Sequence, residues 1–316
     1  MEHLAPLGTA IQDIVLPTHK IYAPLLLKQA DKIRSTRRET FAYGQHPRQK
    51  LDVYTPSAGV KSVTGKSSVF IFLYGGGLVR GEKINTNYLD GLVYANLGHY
   101  FAENLGFEVV IIDYRLITHG AKFPSGGEDL KLAIDWVLGH FPKPLDIYMM
   151  GNSAGGVHLS TYLFAPDFAT SRRQILSASS AGVLKGVILL SVPFHFEQAH
   201  ADRRETLRAY FGDNVRVRCP LGLLEASKQD RSISELQQVP VMVSNGTLDP
   251  EDEILVPRGD FIKEWKASGA VTPKLTVQMM EGHNHLSPVL AVGTAVPAEE
   301  AWARQAIDFI IASSRT

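Results

Sequence analysis

A strand-like run, Ile147-Tyr148-Met149-Met150, gives way to Gly151-Asn152-Ser153-Ala154-Gly155-Gly156 and then to the helix-like segment Val157 to Phe164. A serine with glycine two residues away on either side, at a junction between strand and helix, restricts the backbone to a tight turn. Side chains cannot be accommodated beside the serine, so glycines sit there and the hydroxyl is thrust out above the sheet. That geometry needs a sheet behind the serine and a helix after it, and the rest of the chain must supply both.

The wider pattern agrees. Apolar, β-branched runs recur at Ser68 to Tyr74, Phe107 to Asp113, Asp146 to Met150, Lys185 to Ser191, Val239 to Ser244 and Lys274 to Met279. Between or after them lie helix-like stretches at Gly127 to Gly139, Ser153 to Phe164, Arg258 to Ser268 and Ala298 to Ala312. Alternation of this kind predicts a mostly parallel sheet covered by helices on both faces. Arg38 to Tyr43 and Lys50 to Tyr54, joined by Gly44-Gln45-His46-Pro47, predict a hairpin forming an antiparallel edge, for about eight strands in all. Two regions break the rhythm and are expected to form a small cap: residues 1–36, with an amphipathic pattern over Thr18 to Ile33, and residues 193–228, rich in His, Arg and aromatics. Nothing reads as a linker, so the 316 residues are expected to form one domain, with Ser57 to Ser68 a surface loop.

Charge and cysteine content exclude other classes. Lys and Arg number 32 against 32 Asp and Glu, so no long-range field favours nucleic acid or an anionic membrane. A small neutral or apolar substrate is the expected partner. The one cysteine, Cys219, excludes an internal disulfide or a cysteine-based metal site, and reads as a small filler near the surface or cap. Met1 to Thr18 lacks a basic start followed by a sustained apolar run, and no segment approaches the roughly 20 apolar residues of a membrane span. A cytoplasmic location is therefore expected.

A serine hydroxyl is a weak nucleophile at neutral pH and needs an imidazole base, which in turn needs a carboxylate to fix its tautomer. Asp249 follows the strand Val239 to Ser244 and is the expected carboxylate; Glu251, Asp252 and Glu253 lie further on and read as helix-start charges. Glu281-Gly282-His283-Asn284-His285-Leu286-Ser287 follows the last strand and offers two bases, His283 and His285, which spacing alone leaves open. Upstream, Tyr74-Gly75-Gly76-Gly77 follows a strand where main-chain N–H groups can approach a substrate carbonyl. Gly75 and Gly76, with Ala154, are the expected oxyanion donors, and losing one such donor typically costs about 3 kcal/mol of transition-state stabilisation. Leu78, His158, Phe194, His195 and Leu286 are the candidates for lining a substrate pocket. No metal or organic cofactor is called for by this chemistry.

Taken together these motifs resemble the hormone-sensitive-lipase-like and feruloyl-esterase-like branches of the α/β-hydrolase superfamily. The resemblance runs from Tyr43 to Ile310 and includes Leu51-Asp52-Val53-Tyr54-Thr55-Pro56, Tyr74-Gly75-Gly76-Gly77, Asp113-Tyr114-Arg115-Leu116, Phe123-Pro124, Glu128-Asp129, Trp136, the Ser153 turn, Leu248-Asp249-Pro250 and Gly282-x-x-His285. It implies an α/β-hydrolase fold, and it places the base at His285, three residues beyond Gly282. It also implies that Asp113 and Arg115 are scaffold residues. The family commonly has His before the glycines; Tyr74 stands there instead, which implies altered hydrogen bonding around the oxyanion loop. The implied activity is hydrolysis of a small or medium-sized carboxylic ester through an acyl-enzyme. A thioesterase, or an acyl-transferring or lactonising enzyme releasing a product from a carrier, is the second expectation, and an arylformamidase the third. A non-catalytic receptor, as in the related plant gibberellin receptors, is disfavoured because all three triad candidates are present.

Overall fold

A computed structural model describes residues 2–86, 88–177, 180–229, 233–267 and 274–315. Its strands are β1 (Arg37–Ala42), β2 (Lys50–Thr55), β3 (Ser68–Leu73), β4 (Glu108–Ile112), β5 (Leu145–Asn152), β6 (Gly182–Leu190), β7 (Val241–Leu248) and β8 (Leu275–Asn284). They join in one eight-stranded sheet in the order β1-β2-β4-β3-β5-β6-β7-β8. β2 runs antiparallel to β1 and to β4, and the remaining neighbours are parallel. This is the α/β-hydrolase fold.

All six residues of β3 are buried, because the sheet is covered on both sides. Val69, Ile71 and Leu73 face one core with Leu130, Ile134 and Val137 of helix Ser125–His140 and Val157 of helix Ala154–Phe164. Phe70, Phe72 and Tyr74 face the other, with Leu97, Phe101 and Leu105 of helix Leu92–Leu105 and Trp302, Ala306 and Phe309 of helix Ala301–Ser313. Strands buried on both faces lose the period-two pattern and read as continuous apolar runs, which is how they were legible.

The helix Leu92–Leu105 has no counterpart among the expected elements. It is buried on nearly every side, including Asn96, His99 and Tyr100, so it shows no clear polar stripe. The N-terminal helix α1 (Ile11–Lys28) begins ahead of the expected Thr18 and continues through Pro17 and Pro24 into α2 (Ala30–Arg34). Its face Ile14, Thr18, Tyr22, Leu26 repeats every four residues and is fully packed, and tertiary packing of that face outweighs the two lost backbone bonds. Cys219 lies in the core at 0% exposure, not near the surface, with its thiol donating to the Arg216 carbonyl at 3.1 Å. Burial pushes that thiol up, away from thiolate chemistry. The expected helix Arg258 to Ser268 is found as Val256–Lys266; Ser268 lies outside the described residues.

The strand order determines where a site can form. β3 is flanked by β4 on one side and β5 on the other, so the connections leaving β3 and β5 diverge and leave a crevice at their carboxyl ends. Leu73 of β3 is in register with Gly151 of β5, so the Tyr74 loop emerges directly beside the Ser153 turn.

Candidate active site

Ser153 has φ 51° and ψ −120°, a backbone conformation that non-glycine residues rarely adopt. The turn is locked from both sides. The Ser153 N–H donates to the Leu190 carbonyl at 2.9 Å, while the Ser153 carbonyl accepts from Gly156 and Val157 N–H at 2.9 and 3.1 Å. The following helix is pressed against β3 so closely that a Cβ on Gly155 would lie 2.2 Å from the Leu73 carbonyl oxygen. With its backbone committed, the serine presents its hydroxyl outward, where Oγ lies 3.0 Å from His285 Nε2.

His285 is oriented from behind. Its Nδ1 lies 2.8 Å from Asp249 Oδ1, and a carboxylate only accepts, so Nδ1 carries the proton and Nε2 presents a lone pair to Ser153. Asp249 is 2% exposed just beyond β7, and its Oδ2 accepts from the Gly246 N–H at 2.8 Å and the Ser191 hydroxyl at 2.7 Å. Ser191 is a support that the sequence reading missed; no motif marks it. Glu251, Asp252 and Glu253 fall in the helical turn after Pro250, and Glu253 is engaged by the His200 N–H at 3.1 Å, away from His285.

His283 and His285 are not on one loop. β8 runs to Asn284, so His283 is a strand residue. The Asn284 side chain then accepts from the N–H groups of Leu286 at 3.1 Å and Ser287 at 3.0 Å, a turn that sends His285 toward Ser153. His283 is left buried against the Ser287 hydroxyl at 2.8 Å, and burial pulls its imidazole down to about 4. It is neutral and does not reach the serine hydroxyl.

The loop after β3 closes the other side. A Cβ on Gly75 would lie 3.0 Å from Asn152 Oδ1 and 3.1 Å from Ser153 Cβ, so only a glycine lets this strand end sit against the turn. Gly75, Gly76 and Ala154 all border the cavity above Ser153. Tyr74, buried, anchors this loop: its phenol donates to Asp113 Oδ1 at 2.7 Å and accepts from Arg48 Nη2 at 2.8 Å, and its ring stacks on Tyr114 at 4.8 Å. Arg48, from the hairpin turn, also donates to the Tyr114 and Gly81 carbonyls at 2.9 and 2.8 Å. Arg115 pairs with Asp129 and Glu128, each at 2.8 Å. Asp113 and Arg115 thus sit in the framework around the loop.

A cavity of about 990 Å³ opens over Ser153 and His285. Leu78 and Leu286 line it, together with Val15 and His19 of α1 and Phe196 and Leu207 of the 193–228 segment. Three expected lining residues do not. His158 turns into the protein, its Nδ1 3.2 Å from the Tyr210 hydroxyl and its ring against Tyr114 at 4.4 Å, and burial pulls it down to about 3. Phe194 stacks on Phe261 at 4.0 Å within the core, and His195 Nε2 meets Asp260 at 3.1 Å. The reason lies in the chain leaving β6: Ser191 has φ 48°, and beyond that kink Pro193 and Phe196 face the cavity while Phe194 and His195 face inward.

Comparison with known proteins agrees with this fold. The BD-FAE family model matches residues 51–181. The chain is 28% identical over 168 residues to bile salt-activated lipase of Homo sapiens, covering 49% of this chain and 22% of that protein. It is 29% identical over 168 residues to a probable isoprenylcysteine alpha-carbonyl methylesterase of Arabidopsis thaliana, covering 50% of this chain and 37% of that one. The chain thus spans well under half the length of these curated relatives. Among solved structures, esterase B from Lactobacillus rhamnosis superposes with a TM-score of 0.64 at 16% identity, covering 95% of this chain and 96% of that chain. A thermophilic esterase from the Planctomycetes species Thermogutta terrifontis gives 0.59 at 20% identity, covering 89% and 96%. The turn at Ser153, the strand order and these likenesses converge on one conclusion: the chain has the α/β-hydrolase fold, and over residues 51–181 it is similar to the BD-FAE family.

Proposed function

We propose that this protein is a serine hydrolase of small or medium-sized carboxylic esters, with Ser153 as nucleophile, His285 as general base and acid, and Asp249 as the carboxylate that orients His285. The observation that carries this reading is the relay Ser153 Oγ to His285 Nε2 at 3.0 Å and His285 Nδ1 to Asp249 Oδ1 at 2.8 Å. Ser153 Oγ attacks the ester carbonyl carbon as its proton passes to Nε2. The buried Asp249 carboxylate stabilises the imidazolium that results. The carbonyl oxygen becomes negative, and the N–H groups of Gly75, Gly76 and Ala154 receive it in the cavity. Collapse of the tetrahedral intermediate transfers the His285 proton to the departing alcohol and leaves an acyl-serine. Water, deprotonated by the same imidazole, then releases the acid.

The surroundings support a compact, largely apolar acyl or alcohol group. Leu78, Leu286, Val15, Phe196 and Leu207 border the cavity, and the presence of α1 and 193–228 residues on its wall supports reading these two segments as a cap. The two relatives described above are a lipase and a probable methylesterase, which favours an oxygen ester over a thioester on a carrier. Burst labelling by a fluorophosphonate probe tests the reading: wild type is labelled, Ser153→Ala is not, and p-nitrophenyl acetate and butyrate are turned over faster than matched acyl thioesters. A folded wild type inert to the probe would sink the hydrolase reading and leave the receptor reading in its place.

A further inference from the structure

We propose that Thr18, on the N-terminal helix α1, is a positioning residue for His285, so that the helix bordering the cavity also holds the base in line with Ser153. The inference rests on the assignment of His285 as the base. Thr18 Oγ1 accepts a hydrogen bond from Asn284 Nδ2 at 2.8 Å, across 266 residues of sequence. Asn284 directly precedes His285, and both polar atoms of its side chain are engaged. Its amide oxygen accepts the Leu286 and Ser287 N–H groups at 3.1 and 3.0 Å, which closes the turn carrying His285. Its backbone N–H donates to Ser287 Oγ at 3.0 Å, and Ser287 Oγ also meets His283 Nδ1 at 2.8 Å. Thr18, Asn284 and Ser287 are each 0% exposed and His283 is 2% exposed.

An amide has a donor end and an acceptor end, and the network has room for one orientation only. The two backbone N–H groups demand the oxygen end, so the NH₂ end must point at α1, where Thr18 supplies the acceptor. Without that acceptor a buried donor is stranded, and the amide is driven to rotate or shift to reach another partner. Either movement breaks the turn that aims His285. One helical turn along α1, Tyr22 donates to Glu299 Oε2 at 2.6 Å, so the same face is pinned a second time. The neighbouring face of α1, with Val15 and His19, borders the cavity. Substrate contact with α1 and alignment of the base are therefore properties of one rigid element. Displacement of reacting groups by about 1 Å can cost about a hundredfold in rate, and loosening one turn is expected to cost a part of that.

The test compares Thr18→Val, Thr18→Ser and Leu26→Ala with wild type, using kcat and KM for p-nitrophenyl butyrate, the rate of fluorophosphonate labelling and the melting temperature. Valine keeps the shape and removes the acceptor; serine restores it; Leu26 is buried on the same helix face, eight residues beyond Thr18 and without a polar side-chain atom to engage Asn284. Expected is a fall of about tenfold in kcat and in labelling rate for Thr18→Val. KM should stay within about twofold, activity should return in Thr18→Ser, and Leu26→Ala should lower the melting temperature without that fall in kcat. Should Thr18→Val fail to fold, Thr18→Ala carries the same expectation. A wild type that is labelled while Thr18→Val or Thr18→Ala is labelled equally fast overturns the positioning role alone; so does a fall in kcat that Leu26→Ala reproduces. A wild type inert to the probe overturns it together with the hydrolase reading.

Discussion

Replacing Asp249 by Asn changes no volume, yet it should remove nearly all activity, for a reason set by three hydrogen bonds. Asp249 receives donors from His285 Nδ1, Ser191 Oγ and the Gly246 N–H at 2.8, 2.7 and 2.8 Å. A carboxylate accepts from all three; an amide accepts at one end only. The Gly246 N–H is part of the main chain and cannot reverse, so the asparagine oxygen must take the place of Oδ2 and the NH₂ must face His285. Nδ1 is then forced to accept, the proton moves to Nε2, and Nε2 can no longer take the Ser153 proton. The wrong tautomer is expected to lower kcat about 10⁴-fold, near 5.5 kcal/mol of barrier, with KM changed little. The negative charge that would stabilise the imidazolium is lost in the same substitution. The assay is turnover of p-nitrophenyl butyrate from pH 5 to 9, alongside circular dichroism and melting to establish that the variant is folded. The rate should rise toward high pH, as hydroxide substitutes for the missing base. A folded Asp249→Asn variant keeping more than about a tenth of wild-type kcat at pH 7 would refute the tautomer argument.

Two further outcomes follow from the same structure. Gly75→Ala must accommodate a Cβ 3.0 Å from Asn152 Oδ1 and 3.1 Å from Ser153 Cβ, which displaces the proposed oxyanion loop; kcat should fall about a hundredfold with KM little changed, and an unchanged kcat would detach Gly75 from the chemistry. His158 and His283, held near 3 and 4 by burial, stay neutral in the folded protein while the unfolded chain takes up protons near 6.5. Their contribution to stability is complete above about pH 6.5 and is lost as pH falls toward 4, at about 1.4 kcal/mol per pH unit for each histidine. Urea unfolding at pH 5 and pH 7 should therefore show a smaller pH difference in His283→Asn than in wild type; an equal difference would mean that His283 is not neutral where it is buried.

Most of the sheet could be read in advance because strands buried on both faces leave continuous apolar runs, and glycine marks the tight turn at Ser153 and the loop at Gly75. The proximity of Ser153, Asp249 and His285, the proposed triad, could be anticipated for a related reason: each residue stands just past such a run. What failed was whatever depends on rotation about the chain axis. His158 lies one residue after Val157, which borders the cavity, yet one step along a helix turns a side chain by about 100° and buries it against Tyr114 and Tyr210. Phe194 and His195 were misplaced because nothing in Leu190-Ser191-Val192 announces the positive φ at Ser191. The choice between His283 and His285 could not come from spacing, since β8 continues through His283 and the turn that separates them is made by the Asn284 side chain. Helix Leu92–Leu105 lacked the polar face by which a helix is usually recognised.

Arg48 gives the antiparallel edge a meaning beyond completing the sheet. From the turn between β1 and β2 its guanidinium grips the Tyr74 phenol, the Tyr114 carbonyl and the Gly81 carbonyl, so the hairpin tip works as a clamp on the segment that leads into Gly75. An engineer seeking a harmless place to cut, circularly permute or insert into this chain would be drawn to Gly44-Gln45-His46-Pro47, a surface tip remote in sequence from Ser153. That choice would release the clamp, and the damage would surface at the Tyr74 to Gly77 loop beside Ser153.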